Sequence, residues 1–265
     1  MTTLTKPSLN IDSKLLSHWN KKLASLKPEE ILEWSILTFP GLYQTTAFGL
    51  TGLCIIDMLS KLNVSKNDEG KYPVELVFVD TLYHFPQTLD LVKKIEEKYP
   101  SFKLHIYKPD GCENDTDFVN KYGDQLWETD ELKYDYLVKV EPLKRAYEDL
   151  GIMVVFTGRR RSQGSNRAEL PIIEIDETLK VIKINPLASY NFIDVKKYID
   201  ENQVPYNELL DLGYKSVGDW HSTEPVAEGE DERSGRWKGK AKTECGIHVS
   251  SNYSQFIDEK KEESK

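Results

Sequence analysis

The 265-residue sequence is poor in cysteine, with thiols only at Cys54, Cys112 and Cys245. Three scattered cysteines cannot build the disulfide framework of a small secreted domain, and any pairing leaves one thiol over. No stretch approaches the roughly 18 apolar residues that mark a membrane span. The opening residues MTTLTKPSLNIDSK lack the charged-then-apolar plan of a signal peptide, so a cytoplasmic location is expected. With a formal net charge of −9, binding to nucleic acid or to an anionic membrane is not expected. Internal repeats, a Walker A loop and a G-x-G-x-x-G turn are all missing.

What is present fits one sizeable domain: 39% hydrophobic and 30% charged residues. The stretches DSKLLSHWNKKLASL and PEEILEWSIL read as two helices, the second with Pro28 in its first turn, and make residues 1–40 an N-terminal helical segment. Residues 41–215 alternate strand-like and helical runs. GLYQTTA, VELVFVD, FKLHIYKP and IMVVFTG are the strand candidates. TGLCIIDMLSKL, PQTLDLVKKIEEKY, EPLKRAYEDLG and FIDVKKYIDENQ have helical spacing. This alternation predicts an α/β fold with a largely parallel sheet flanked by helices. PIIEIDETLKVIKINPL departs from it, reading as two short strands joined by a polar turn. From about residue 216 the acidic EPVAEGEDE and the basic RSGRWKGKAK have little to bury, so residues 216–265 are expected to form a flexible arm.

Ligands of open parallel sheets bind beyond the carboxyl ends of the strands. Four segments fall there. TTAFGLTG (45–52) opens a helix with small residues that could turn backbone N–H groups toward an anion, or make an ordinary strand-to-helix turn. Asp80 and Thr81 end the second strand, where an Asp could equally cap the next helix. Lys139 lies near the same edge, a position where most lone lysines are simply solvated. TGRRRSQGSNR (157–167) carries more information. It gathers Arg159, Arg160, Arg161 and Arg167 on an acidic protein, which points to a polyanionic ligand if the loop is not merely solvated.

The tail adds Arg233, Arg236, Lys238, Lys240 and Lys242 just before Cys245. A basic arm ending in a thiol could fold over an anion and deliver a nucleophile, since nearby cations favour the thiolate. Cys54, in an apolar run, is expected in the core, and Cys112 in a loop. Cys245-x-x-His248 has no partner pair at ligand spacing, so no metal is expected. His18, His84, His105 and His221 are expected to be structural or solvated.

Taken in order, TTAFG, VFVDTLYHFPQT, KVEPLKRA, TGRRRSQGSNRAELP, KINPLASY and RSGRWKGKAKTECGIH resemble the sulfonucleotide reductases, specifically the thioredoxin-dependent 3′-phosphoadenylylsulfate (PAPS) reductases. The resemblance runs from about residue 41 to 248. It implies an adenine-nucleotide α-hydrolase-like fold related to the PP-loop pyrophosphatases, and a catalytic cysteine at Cys245. His248 matches a tail histidine grouped here with the catalytic residues, its role open. The implied substrate-binding set is Thr45, Thr46, Phe48, Gly49, Asp80, Thr81, Lys139, Gly158, Arg160, Arg161, Arg167, Arg233, Arg236 and Lys242. The implied reaction, part of assimilatory sulfate reduction, turns PAPS into sulfite and adenosine 3′,5′-bisphosphate through an S-sulfocysteine on Cys245. Thioredoxin then resolves that intermediate as electron donor. A homodimer is also implied.

The departures matter as well. Relatives that reduce adenylylsulfate hold an iron–sulfur cluster on two cysteine pairs. Tyr134 and Asp135 stand at the first pair here, Asp219 and Ser222 at the second, so no cluster and no other bound cofactor are expected. TTAFGLTG lacks the S-G-G-x-D-S of PP-loop ATPases, which argues against ATP cleavage. Two other readings stay open: a PP-loop-related adenylyltransferase, which would need Mg²⁺ and ATP but not Cys245, and a catalytically silent nucleotide- or thioredoxin-binding protein.

Overall fold

The computed structural model describes residues 11–64, 66, 70–164, 167–238, 240, 242, 253 and 256. Two N-terminal helices, α1 (Ser13–Leu23) and α2 (Pro28–Thr38), precede the first strand. Asp12 caps α1 by accepting from the Leu15 amide at 2.8 Å, and Pro28 occupies the first turn of α2. The body then runs β1 (Leu42–Thr45), α3 (Leu50–Lys61), β2 (Val74–Val79), α4 (Pro86–Lys98) and β3 (Leu104–Tyr107). Three short helices follow, α5 (Asp115–Tyr122), α6 (Leu126–Thr129) and α7 (Glu131–Asp135). A π-helical turn over Tyr136–Val140 leads into α8 (Glu141–Asp149). β4 (Val154–Phe156), β5 (Ile173–Asp176), β6 (Val181–Ile184) and α9 (Phe192–Glu201) complete it.

The sheet has the order β3-β2-β1-β4-β6-β5, and only the β5–β6 pair is antiparallel. That hairpin is the one read from PIIEIDETLKVIKINPL. Strand β2 shows why the central strands look continuously apolar in sequence. Leu76 and Phe78 pack into a core with α2, α3 and α9, while Val77 and Val79 pack with Leu143, Ala146 and Tyr147 of α8 on the other face. A strand covered on both faces has no polar side to display. Each such buried aliphatic or aromatic side chain contributes about 1.5–3 kcal/mol.

Two regions differ from expectation. Residues 113–140 form short helices joined at polar turns, too brief to leave a periodic signature. They enclose a small core of Tyr83, Phe118, Trp127, Tyr134 and Val138. The stretch from 216 to 238, expected to have little to bury, is anchored to the body near both ends, while residues 227–231 are exposed. Asp219 bridges to His84, Thr223 bridges to Arg236, and Trp237 is only 4% exposed. A few anchors, not mean composition, decide that docking.

Between β1 and β4 the winding reverses, since β2 and β3 lie on one side and β4, β6 and β5 on the other. Such a switch point leaves a crevice at the carboxyl ends of the two strands.

Candidate functional site

A cavity of about 260 Å³ fills that crevice. Its floor comes from the turns after β1 and β4, one wall from Thr81 and Lys139, and its outer rim from residues 214–219 and 232–237. The β1–α3 turn begins with Thr46, whose amide continues the ladder to the Val77 carbonyl at 2.9 Å. The Thr46 hydroxyl then accepts from the Phe48 amide at 2.9 Å, which holds Phe48 at a φ of +53°. A non-glycine residue in this left-handed region carries strain and is common at functional turns. Phe48 gains in return a contact with Phe78, the ring centroids 5.3 Å apart. Gly49 follows as the N-cap of α3.

The two floor turns touch through glycine. A Cβ on Gly158 would lie 3.1 Å from the Gly52 amide nitrogen, and one on Gly52 would lie 2.8 Å from the Thr46 hydroxyl. A side chain at either position would crowd this approach and force a neighbour to shift.

The arginine cluster divides. Arg160 is buried and donates through Nε to the Thr51 hydroxyl at 2.8 Å, through Nη1 to Ser162 at 2.9 Å and through Nη2 to Glu232. Arg159 also lines the cavity but is paired with Glu174. Arg167 lines it and donates to Gln163. Arg161 does not line it; its Nε caps the Leu170 carbonyl at 2.8 Å. From the far side Arg233 and Arg236 reach the cavity with their guanidinium carbons 5.5 and 4.5 Å from the Trp237 ring centre. Gly218 makes room for the second, because any Cβ there would meet the Arg236 guanidinium at 2.2 Å.

Lys139 is buried in the wall, with its ammonium 2.9 Å from Asp135 and 2.7 Å from Asp219. Thr81 donates to the other Asp219 oxygen at 2.6 Å, and the Tyr134 hydroxyl lies 3.2 Å from Asp219. Burial alone would raise the Asp219 carboxyl. Lys139, His84 and the hydrogen bonds from Lys139 and Thr81 override it and hold the group well below the usual range. Burial also dominates His221, stacked 4.2 Å from Trp127, and lowers it to about 4, so it is neutral.

Eleven of the residues expected to bind substrate therefore meet at one cavity: Thr45, Thr46, Phe48, Gly49, Thr81, Lys139, Gly158, Arg160, Arg167, Arg233 and Arg236. Asp80, Arg161 and Lys242 do not line it. Asp80 accepts from the Leu82 amide at 2.9 Å and shapes the loop after β2. Lys242 pairs with Asp135. Cys245 and His248 lie outside the described residues. Sequence reading did not single out Glu232 as a cavity residue, because an acidic residue among EGEDE resembles solvated surface. Of Tyr134, Asp135, Asp219 and Ser222, which the resemblance sets against cluster cysteines, the first three form one hydrogen-bonded network through Lys139. Among the described residues no group of three or more His, Cys, Asp or Glu side chains is arranged to hold a metal.

The family profile described as "Phosphoadenosine phosphosulfate reductase domain" matches residues 41–225. The phosphoadenosine phosphosulfate reductase of Saccharomyces cerevisiae is 62% identical over 251 residues, covering 93% of this chain and 94% of its own. The crystal structure of the PAPS reductase from Candida auris, a phosphate complex, superposes with a TM-score of 0.74 at 54% identity, covering 82% of this chain and all of that one. An FMN adenylyltransferase of Candida glabrata shares the fold alone, with a TM-score of 0.55 at 14% identity over 89% of this chain and 80% of its own.

Proposed function

The chain belongs to the phosphoadenosine phosphosulfate reductase family, oxidoreductases acting on sulfur, and we propose that it reduces PAPS to sulfite and adenosine 3′,5′-bisphosphate with Cys245 as nucleophile. The observation that carries this reading is the convergence of Lys139, Arg160, Arg167, Arg233 and Arg236 on one cavity at the switch point of the sheet. An acidic chain gathers cations there because the ligand is a polyanion.

The adenine and ribose sit against the 45–49 turn, and the phosphosulfate lies among the cations. The Cys245 thiolate attacks the sulfonate sulfur. A sulfur–sulfur bond forms as the bond from sulfur to the phosphate oxygen breaks, and adenosine 3′,5′-bisphosphate leaves with the electron pair. Guanidinium and ammonium groups stabilise the negative charge gathering on that phosphate. They also let a thiolate approach an anionic sulfonate. The product on the protein is S-sulfocysteine.

A thiolate of reduced thioredoxin then attacks the Cys245 sulfur and expels sulfite. The second thioredoxin thiol breaks the resulting mixed disulfide, so thioredoxin leaves oxidised and Cys245 is restored. This accounting needs no bound cofactor. Cytoplasmic location and a homodimer belong to the same proposal. No helix among the described residues is long and apolar enough to cross a membrane.

The test is intact-protein mass spectrometry after mixing the chain with PAPS and no reductant, followed by peptide mapping. One added SO₃ on the Cys245 peptide, lost with sulfite release on adding reduced thioredoxin, is the expected result. Tight nucleotide binding without an adduct would overturn the mechanism, and repeating the reaction with adenylylsulfate reads the substrate preference.

A further inference from the structure

Asp135 stands where two parts of the molecule meet. It ends α7 and enters the π-helical turn, and its side chain is 2% exposed. One carboxylate oxygen accepts from Lys139 at 2.9 Å. The other accepts from Lys242 and from the hydroxyl of Tyr253 at 3.4 Å. Lys139 lines the cavity, while Lys242 and Tyr253 belong to the C-terminal segment. Lys242 precedes Cys245 by three residues, a span of at most about 10 Å of extended chain.

Other tail residues land on the same short stretch. The Lys240 ammonium lies 3.5 Å from Glu131 and 4.0 Å from Glu128, and donates to the Trp127 carbonyl at 3.3 Å. Phe256 stacks on Tyr136, the ring centroids 5.0 Å apart. The described residues on either side of Cys245 in sequence, Lys240, Lys242, Tyr253 and Phe256, thus all meet residues 127–136. The charges match: a basic run meets Glu128, Glu131 and Asp135. Within the buried part Asp135 and Asp219 balance Lys139 and Lys242 one for one, with His221 neutral. Burying four charges is costly unless each is compensated. Asp135 is the only member of the four that contacts both lysines.

We propose that Asp135 is a positioning residue for the reaction, holding the cavity lysine with one carboxylate oxygen and the tail lysine with the other, so that the segment leading to Cys245 is seated against the cavity wall. Without its charge, Lys139 keeps Asp219 while Lys242 is left with the partly exposed Glu131 at 3.7 Å, and the tail is pushed from the wall by Lys139. The inference rests on the proposed reaction. It assigns Lys242 to holding the tail, not the substrate.

The test compares Asp135→Asn, Lys242→Met and the double variant in the full chain. Each single change should slow Cys245 sulfonation in a single turnover with PAPS by about tenfold or more, with the double variant no slower than either, since both remove one interaction. Affinity for adenosine 3′,5′-bisphosphate should stay within about threefold in Lys242→Met, because seating the tail is separate from binding the nucleotide. Losses that multiply in the double variant, or affinity that falls with rate in Lys242→Met, would overturn the proposal. Lys242→Met leaves the core intact, so it remains decisive if Asp135→Asn does not fold. If the unaltered chain forms no sulfonate, the proposed reaction fails. Trypsin cleavage at Arg236 to Lys242 then judges the anchor: faster cleavage in either single variant supports it, and unchanged cleavage overturns it.

Discussion

Nη2 of Arg160 lies 2.7 Å from both carboxylate oxygens of Glu232, with only 3% and 9% of the two side chains exposed. A buried guanidinium needs a counter-charge, and here a residue of the cavity's own rim supplies it. An oxyanion that takes Arg160 must compete with Glu232. Replacing Glu232 with Gln is therefore expected to tighten adenosine 3′,5′-bisphosphate binding by about tenfold, or about 1.4 kcal/mol. The ligand-free protein should melt earlier, because Arg160 loses its partner. Calorimetric titration beside thermal melts checks both; weaker nucleotide binding would mean that Glu232 helps the ligand.

Cys245→Ser should bind adenosine 3′,5′-bisphosphate as the unaltered chain does and take up no SO₃ from PAPS. An alkoxide is not available at neutral pH, and a serine oxygen could not later be released by a thiol. Sulfite production by this variant, measured with thioredoxin present, would remove Cys245 from the mechanism.

Much of the sheet was legible because β2 and β4 are buried on both faces and read as apolar runs. The α5–α7 region was not, since helices as short as Leu126–Thr129 hold about one turn and are fixed by the core they enclose. Within the site, position along the chain located the loops but not the direction of each side chain. Arg160 and Arg161 are neighbours, yet one turns into the cavity and the other caps Leu170. The acidic partners were harder still. Asp135 and Asp219 drew notice only as missing cysteines: Asp135 pairs with Lys139 one helical turn away, but Asp219 reaches it from 80 residues further along the chain.

Gly158 offers a test of the cavity floor. An added methyl would press on the Gly52 amide nitrogen at 3.1 Å and on the Thr51 Cβ at 3.4 Å, where backbone cannot swing aside. Gly158→Ala should cost about 1–2 kcal/mol of stability through overpacking. It should also lower nucleotide affinity, since the turns after β1 and β4 must separate. Unchanged affinity in a destabilised but folded variant would show that the floor contact serves packing alone.

Acid should weaken the fold in two steps. His221 is held neutral by burial, its pKa lowered from 6.5 to about 4. Its contribution is whole above about pH 6.5, falls as pH drops through that window and is gone below about 4. With partial screening this amounts to about 1–2 kcal/mol. Despite burial, Asp135 and Asp219 are also lowered, below the ordinary carboxyl value of 3.8, by their lysine partners, so their contribution is lost only as pH falls beneath that value. Denaturant midpoints between pH 7 and 4.5 should therefore decline in the unaltered chain. They should stay nearly flat in His221→Phe, where a ring that cannot be protonated stacks on Trp127. An equal decline in both would place the acid sensitivity elsewhere.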